Sequence, residues 1–335
     1  MRPPEFWRAD VSGRDSALAL RALLTPVSWL YAWATARRIR TTISRHAPVP
    51  VICVGNFTVG GAGKTPITRA LRAKLGPHAH TLSRGYGGSV EGPLRVTPDM
   101  SAREVGDEPL LHAADGPAWI ARDRFAGAQA AAQAGAHVII MDDGFQNPSL
   151  AKDISIVAVD AEYGVGNGAV FPAGPLRERL SDGLARADAI ILMHGAAAVD
   201  PDANAWLDGF NKPILHARLA AISAPPHGKL IAFAGLARPE KFFDTLESFG
   251  AELEEAVPFA DHHPYTEDDL AYLAQLAEER GARLITTEKD AARLSPDWRA
   301  RVAVLPVTAQ FDDPAALDAL LAPIQSRMKA AHGEA

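Results

Sequence analysis

Residues 49–66 read VPVICVGNFTVGGAGKTP, and no other stretch restricts the fold as much. An apolar run of strand length passes into a glycine-rich turn, then Lys64-Thr65, then a helix with Pro66 in its first turn. Each part answers a physical need. Gly60, Gly61 and Gly63 let backbone N–H groups converge on phosphate oxygens where a Cβ would intrude. Lys64 neutralises the β- and γ-phosphates, the Thr65 hydroxyl can ligate Mg²⁺, and the helix N-terminus adds a favourable dipole. Thr58, Val59, Gly60, Gly61, Ala62, Gly63, Lys64 and Thr65 are therefore the expected nucleotide contacts. The strict pattern begins with Gly, and this chain has Thr58 there. An incidental glycine-rich turn has that mismatch in its favour, and the strand-loop-helix context against it.

A second acidic feature supports the first. AHVIIMDDGFQ sets Asp142 and Asp143 at the carboxyl end of an apolar strand, where ligands bind in open α/β sheets. A strand-end Asp beside a phosphate loop holds Mg²⁺ directly or through water. Adjacent side chains point to opposite sides, so one of the pair is expected at the metal and the other at a helix or the substrate. The alternative is a paired turn before Gly144. A guanine-reading N-K-x-D is missing: Asn211-Lys212 continues Pro213-Ile214, and Thr287-Glu288-Lys289-Asp290 has its Lys one place late, which favours ATP.

Around this unit, short apolar runs at 49–54, 79–83, 137–141, 154–159 and 189–193 alternate with helical patterns at 66–75 and 124–135. Continuous apolar strands separated by helices predict a parallel sheet covered on both faces. AISAPPHG (221–228) breaks the pattern, and new strand candidates follow at 230–234, 283–286 and 302–307. The expected organisation is an N-terminal helical segment (1–45), a P-loop NTPase-type α/β domain (46–221) and a smaller α/β domain (222–330).

The net charge of −6 conceals an asymmetry: residues 1–45 hold eight Arg against three acids, leaving −11 for the remainder. A body this acidic is a poor match for a nucleic-acid backbone. The single cysteine, Cys53, excludes an internal disulfide and lies in an apolar run, as a buried thiol would. Residues 16–40 are rich in Leu, Ala and Trp, but Arg21 and Pro26 interrupt them, so no membrane-spanning run is expected, nor a signal peptide. Trp29, Leu30, Tyr31 and Trp33 ahead of Arg37, Arg38 and Arg40 suit a headgroup boundary. A helix packed on the protein's own core is the alternative; the charge asymmetry favours a monotopic membrane contact.

Six motifs occur in order: GNFTVGGAGKTP (55–66), SRGYGG (83–88), GDEPLL (106–111), MDDGFQ (141–146), PAGPLRE (172–178) and FADHHPY (259–265). Together they resemble the tetraacyldisaccharide 4′-kinases, membrane-associated lipid A kinases of Gram-negative bacteria. The resemblance runs from the N-terminal segment through at least Asp290. It implies transfer of the ATP γ-phosphoryl group to the 4′-hydroxyl of a tetraacylated disaccharide 1-phosphate. It also implies Mg²⁺ and a peripheral position at the cytoplasmic face of the inner membrane; no obligate protein partner is evident in the sequence. Asp107 matches the family's catalytic base and His262 its partner, with Lys64 at the phosphates. Tyr86, Glu108, Gln146, Arg177 and Glu178 fall in motifs of the same cleft.

Duller alternatives stand beside these. Asp107 can cap a helix, His262-His263 can be solvated loop residues, and Arg177-Glu178 a surface pair. Arg122 and Arg124 can bind phosphate or solvate a helix start. Two other classes compete with a lipid kinase. A partner-binding P-loop ATPase of the partitioning or metal-chaperone type often carries Lys one residue before the double Gly, where this chain has Val59. A soluble small-molecule kinase would make the N-terminal cluster a packing helix.

Overall fold

Two parallel-rich sheets organise the computed structural model, which describes residues 4–8, 15–195, 201–236 and 238–332. Positions 1–3 and 9–14 of the expected N-terminal segment lie outside the described residues. A long helix, α1 (Asp15–Thr41), precedes β1 (Val51–Asn56), α2 (Lys64–Leu75), β2 (Ala79–Ser83) and β3 (Leu94–Val96). Then come α3 (Ala102–Val105), α4 (Asp107–Asp115), β4 (Ala118–Ile120), α5 (Arg124–Gln133) and β5 (Val138–Asp142). β6 (Ile154–Asp160), α6 (Leu180–Arg186), β7 (Ala189–His194) and β8 (Ile214–Ala221) follow. The chain continues through β9 (Lys229–Ala234), α7 (Glu240–Ser248), β10 (Glu252–Pro258), α8 (Glu267–Arg280) and β11 (Arg283–Thr287). It ends with α9 (Glu288–Ala291), α10 (Pro296–Arg299), β12 (Ala303–Leu305), β13 (Val307–Phe311) and α11 (Pro314–His332).

The large sheet has the order β13-β8-β7-β6-β1-β5-β2-β4-β3, antiparallel only at its two edges, β3 on β4 and β13 on β8. β1 lies between β5 and β6, where the strand order reverses, so its carboxyl end is the favoured ligand position of an open α/β sheet. All six β1 residues are buried because both faces are covered. Ile52 and Val54 pack with Ile67 and Leu71 of α2 and Leu317, Leu321 and Ile324 of α11. Val51 and Cys53 pack with Ala128 and Ala131 of α5 on the other face. Side chains as fully buried as Ile52 and Leu71 each contribute about 1.5–3 kcal/mol. Burial also pushes the Cys53 thiol up to about 11, which fits an inert core thiol.

The small sheet, β10-β9-β11-β12, is wholly parallel, with Phe242 and Leu246 of α7 on one face and Leu270, Leu273 and Leu276 of α8 on the other. One expectation is corrected here. The apolar run 302–307 is two strands: Pro306, without an N–H, separates β12 in the small sheet from β13 in the large one. Residues 307–332 thus return to the large sheet, and only the middle of the expected unit 222–330 builds the small one. The chain crosses between sheets at two adjacent points, bonded to each other from Ile222 N to the Pro306 carbonyl (2.9 Å).

α1 continues through Pro26 as one 27-residue helix. Its orientation is the inverse of a core-packed amphipathic helix. Ser28, Ala32 and Thr35 are buried against the protein, while Leu23, Val27, Trp29, Leu30 and Trp33 are each more than half exposed. No helix among the described residues is long and apolar enough to cross a membrane.

Candidate active site

The loop after β1 is held open by its own side chains. Asn56 Nδ2 donates to the carbonyls of Thr58 (2.7 Å) and Gly60 (3.1 Å), and Val59 N donates to the Pro175 carbonyl (2.8 Å). Thr58 forms an antiparallel bridge with Leu176, an extended arrangement that favours a β-branched residue. The missing first Gly is thereby explained, since Thr58 needs no positive φ. Gly63 does: its φ is +77°, and a Cβ there would lie 2.9 Å from Met193 Cγ. Beyond the Cα atoms of Gly60 and Gly61 there is open space, as a phosphate cradle requires. Lys64 and Thr65 open α2 directly after this turn.

Asp142 and Asp143 follow on the neighbouring strand and diverge. Asp143 N bonds the Val54 carbonyl (2.9 Å), and the residue takes φ +52°, a costly conformation that Asp tolerates better than most. Its Oδ1 lies 2.7 Å from Arg177 Nη1 and 3.6 Å from Lys64 Nζ. Burial opposes ionisation, but those two cations outweigh it and hold Asp143 below the usual carboxylate range. Arg177 also donates from Nε to the Thr58 carbonyl (3.1 Å), so one guanidinium braces the loop and the Asp. Asp142 is buried; its Oδ2 accepts from His112 Nε2 at 2.8 Å, and its buried Oδ1 has no hydrogen-bond partner.

A second cluster is built from both sheets. Asp107 opens α4 after Gly106 (φ +89°) and is buried. Its Oδ2 is gripped by Arg293 through Nη2 and through Nε (3.1 Å), and lies 3.3 Å from His262 Nδ1. Arg293 Nη2 is also 3.1 Å from His262 Nδ1, so the His262 tautomer decides whether that nitrogen accepts from Arg293 or donates to Asp107. Burial works against the Asp107 charge; the His262 hydrogen bond and the positive charges of Lys289 and Arg293 outweigh it and hold the carboxyl well below its ordinary range. Arg293 is fixed from behind by Asp290 (2.9 Å) and the Gly235 carbonyl (3.1 Å). Asp290 is fully buried and further accepts from Gly235 N (3.0 Å), Tyr265 Oη (3.0 Å) and Thr287 Oγ1 (2.7 Å). His262 has φ +58°; with Asp143 it is one of two non-glycine residues with positive φ among the described residues.

The remaining expected residues divide. Glu108 pairs with Lys289 across the two sheets (3.2 Å). Tyr86 presents an exposed ring, and its carbonyl packs where a Cβ on Gly106 would fall, one residue before Asp107. Gln146 Nε2 bonds the Asn56 carbonyl and Glu178 Oε1 (each 3.0 Å), and buried Glu178 also binds Arg186. Gln146 and Glu178 therefore support the loop from behind. Arg122 is exposed and paired with Glu91 (2.5 Å), while Arg124 is buried and donates to the Ala121 carbonyl. Neither carries a recorded bond to the residues gathered around Asp107. Arg293, Lys289 and His112 went unrecognised in sequence. His112 is five positions after Asp107 and Arg293 three after Asp290, spacings without a known motif.

Comparison with known proteins gives a consistent result. A family model described as tetraacyldisaccharide-1-P 4′-kinase matches residues 20–325. Similar sequences named tetraacyldisaccharide 4′-kinase include one from Hyphomonas neptunium, 52% identical over 98% of this chain and 99% of the relative. One from Maricaulis maris is 51% identical over the full length of both. One from Caulobacter vibrioides is 50% identical over 95% of this chain and 97% of the relative. Among solved structures, LpxK from Aquifex aeolicus in complex with ATP superposes with a TM-score of 0.72 at 28% identity, covering 91% of this chain and 99% of that one.

Proposed function

This chain belongs to the tetraacyldisaccharide-1-phosphate 4′-kinase family, the ATP-dependent phosphotransferases of lipid A biosynthesis, and on that premise we propose how its residues divide the work. The loop from Thr58 to Thr65 grips the triphosphate of ATP, with Lys64 on the β- and γ-phosphates. The γ-phosphoryl group passes to the 4′-hydroxyl of a tetraacylated disaccharide 1-phosphate, and Asp107 accepts the hydroxyl proton. A sugar hydroxyl is a weak acid, so positioning and charge neutralisation carry most of the catalysis. His262 and Arg293 orient the Asp107 carboxylate, and Lys289 adds positive charge beside it.

One observation carries this assignment. Asp107 belongs to the large sheet, His262 and Arg293 to the small one, and yet the three meet within hydrogen-bonding distance. A buried carboxylate is a costly way to join two segments, because desolvation offsets much of the attraction of its ion pairs.

A magnesium ion fits the donor side. Mg²⁺ shared with nucleotide phosphates needs only one or two protein oxygens. Asp142 offers a buried oxygen without a partner, and Thr65 and Asp143 complete the expected set. When bound, the ion neutralises phosphate charge.

We also place the protein peripherally at the cytoplasmic face of the inner membrane. The outward Leu23, Val27, Trp29, Leu30 and Trp33 of α1, followed by Arg37, Arg38 and Arg40, suit an interfacial helix facing anionic lipid. The test is phosphorylation of a tetraacyl disaccharide 1-phosphate in detergent by the purified chain with Mg-ATP. Asp107→Ala should reduce turnover by several orders of magnitude while ATP still binds; unchanged turnover would remove Asp107 from the base role.

A further inference from the structure

Asp142 closes β5 on the sheet face that carries α2, because Val138 and Ile140 pack into the same core as Ile67 and Leu71. Its carboxylate is 2% exposed and His112 is 1% exposed, so neither can turn to water. The bond between His112 Nε2 and Asp142 Oδ2 (2.8 Å) is the recorded hydrogen bond of that carboxylate, and Oδ1 has none. His112 Nδ1 is also buried without a partner, so the tautomer protonated at Nε2 leaves no buried N–H unpaired. The histidine's backbone is tied down as well: its carbonyl accepts from Arg72 Nη1 of α2 (3.1 Å).

We propose that His112 is a positioning residue that fixes Asp142 for magnesium, holding Oδ2 so that Oδ1 alone remains to meet the ion or its water. The proposal rests on the reading of Asp142 as a magnesium ligand. A free carboxylate turns about its Cβ–Cγ bond and exchanges its two oxygens; a hydrogen bond to one of them stops that motion before the nucleotide arrives. α4 begins with Asp107 and carries His112 little more than one turn later, so a single helix sets the proton acceptor and the metal-side carboxylate in fixed relation.

The experiment uses the full chain in detergent and four variants: Asp142→Asn, His112→Leu, His112→Gln and His112→Asn. Mn²⁺ affinity is measured by electron paramagnetic resonance with a non-hydrolysable ATP analogue, alongside the free Mg²⁺ required for half-maximal turnover. His112→Leu should weaken Mn²⁺ binding about 10- to 100-fold, the usual effect of losing a partner of a metal ligand. Analogue binding in EDTA should change little. His112→Gln should recover most of the affinity, because its amide nitrogen reaches the place of Nε2; His112→Asn, which is shorter, should not. Wild-type Mn²⁺ affinity in His112→Leu overturns the proposal while leaving the magnesium reading intact. Wild-type affinity in Asp142→Asn overturns the magnesium reading and the proposal with it. Should His112→Leu fail to fold, equal Mn²⁺ affinities in the Gln and Asn variants would overturn it instead.

Discussion

Replacing Arg293 with Ala tests how the acceptor side is held. The guanidinium is 8% exposed and serves Asp107, Asp290, the Gly235 carbonyl and His262 at once. Its removal leaves two carboxylates, Asp107 and Asp290, in the interior with fewer partners. Breaking a buried pair by deleting one side costs about 3–5 kcal/mol. With an unfolding entropy of about 2.1 cal/mol/K per residue, 335 residues give about 0.7 kcal/mol/K, and the melting temperature should fall by about 4–7 °C. Arg293→Lys keeps the charge without the fork and should lose less of the stability.

The same variant should alter the pH profile. The folded-state pKa of Asp107 lies below its unfolded value, so its ion pair stabilises the fold in full above the ordinary aspartate range. That contribution is lost as pH falls through the lower folded value. Without Arg293, burial is still opposed by His262, Lys289 and the Glu108 N–H that donates to Asp107 Oδ1 (3.0 Å), but the Arg293 charge and its hydrogen bonds are both gone and the Asp107 pKa must rise. The wild-type kcat/KM should therefore show no Asp107 limb down to the ordinary aspartate range, whereas Arg293→Ala should bring an acid limb up toward that range, with Arg293→Lys between the two. Calorimetry and steady-state phosphorylation, carried down to the lowest pH at which the chain stays folded, supply both readouts. A lowered melting temperature with an unmoved acid limb would refute the reasoning, because Arg293 would then be structural and not a determinant of Asp107 ionisation.

Three further outcomes are expected. Gly63→Ala forces a Cβ at φ +77° against Met193, at a cost of about 1–3 kcal/mol in the loop geometry seen here; a free loop that relaxes to relieve the strain must recover that geometry to bind, and ATP affinity by titration calorimetry should fall by up to roughly 150-fold. Arg177→Ala unties the Thr58 carbonyl and Asp143 together, so the KM for ATP should rise about tenfold with a smaller change in kcat. Trp29→Ser with Trp33→Ser removes two large outward side chains from α1 and should reduce co-sedimentation with anionic vesicles by at least tenfold, with kinase activity on detergent-dispersed substrate retained; equal partition would count against membrane docking.

What could be read in the sequence follows from how local each feature is. β1, its glycine turn and α2 are consecutive, so apolar run, Gly and Lys-Thr announced them in order, and β2 was placed at its full extent, 79–83. β3 and β4 span three residues each, too short for a period to show, and β10 (ELEEAVP) carries three Glu. The split at Pro306 was hidden because two apolar strands that part to different sheets read as one run. Lys64, Asp107, Asp143 and His262 were recognisable through motifs, whereas Arg293 and His112 act through contacts 186 and 30 residues away in the chain.

The N-terminal helix shows a limit of a different kind. An apolar-versus-polar pattern could not say which face of α1 meets the protein, because Leu, Ala and Trp surround it. Size decides instead: Ser28, Ala32 and Thr35 allow close approach, and the Ser28 hydroxyl accepts a bond from Ala173 N (2.9 Å) in the loop that leads to Arg177. Tyr31 and Trp7 pack edge-on against Phe171 of that loop, and Val59 of the phosphate loop bonds Pro175 within it. The small inward residues thus seat α1 on the segment that braces the nucleotide loop, and Leu23, Val27, Trp29, Leu30 and Trp33 are left facing outward. A helix packed this way is anchored to the segment behind the nucleotide loop by polar and small groups, so its apolar surface stays exposed, as the proposed membrane contact requires.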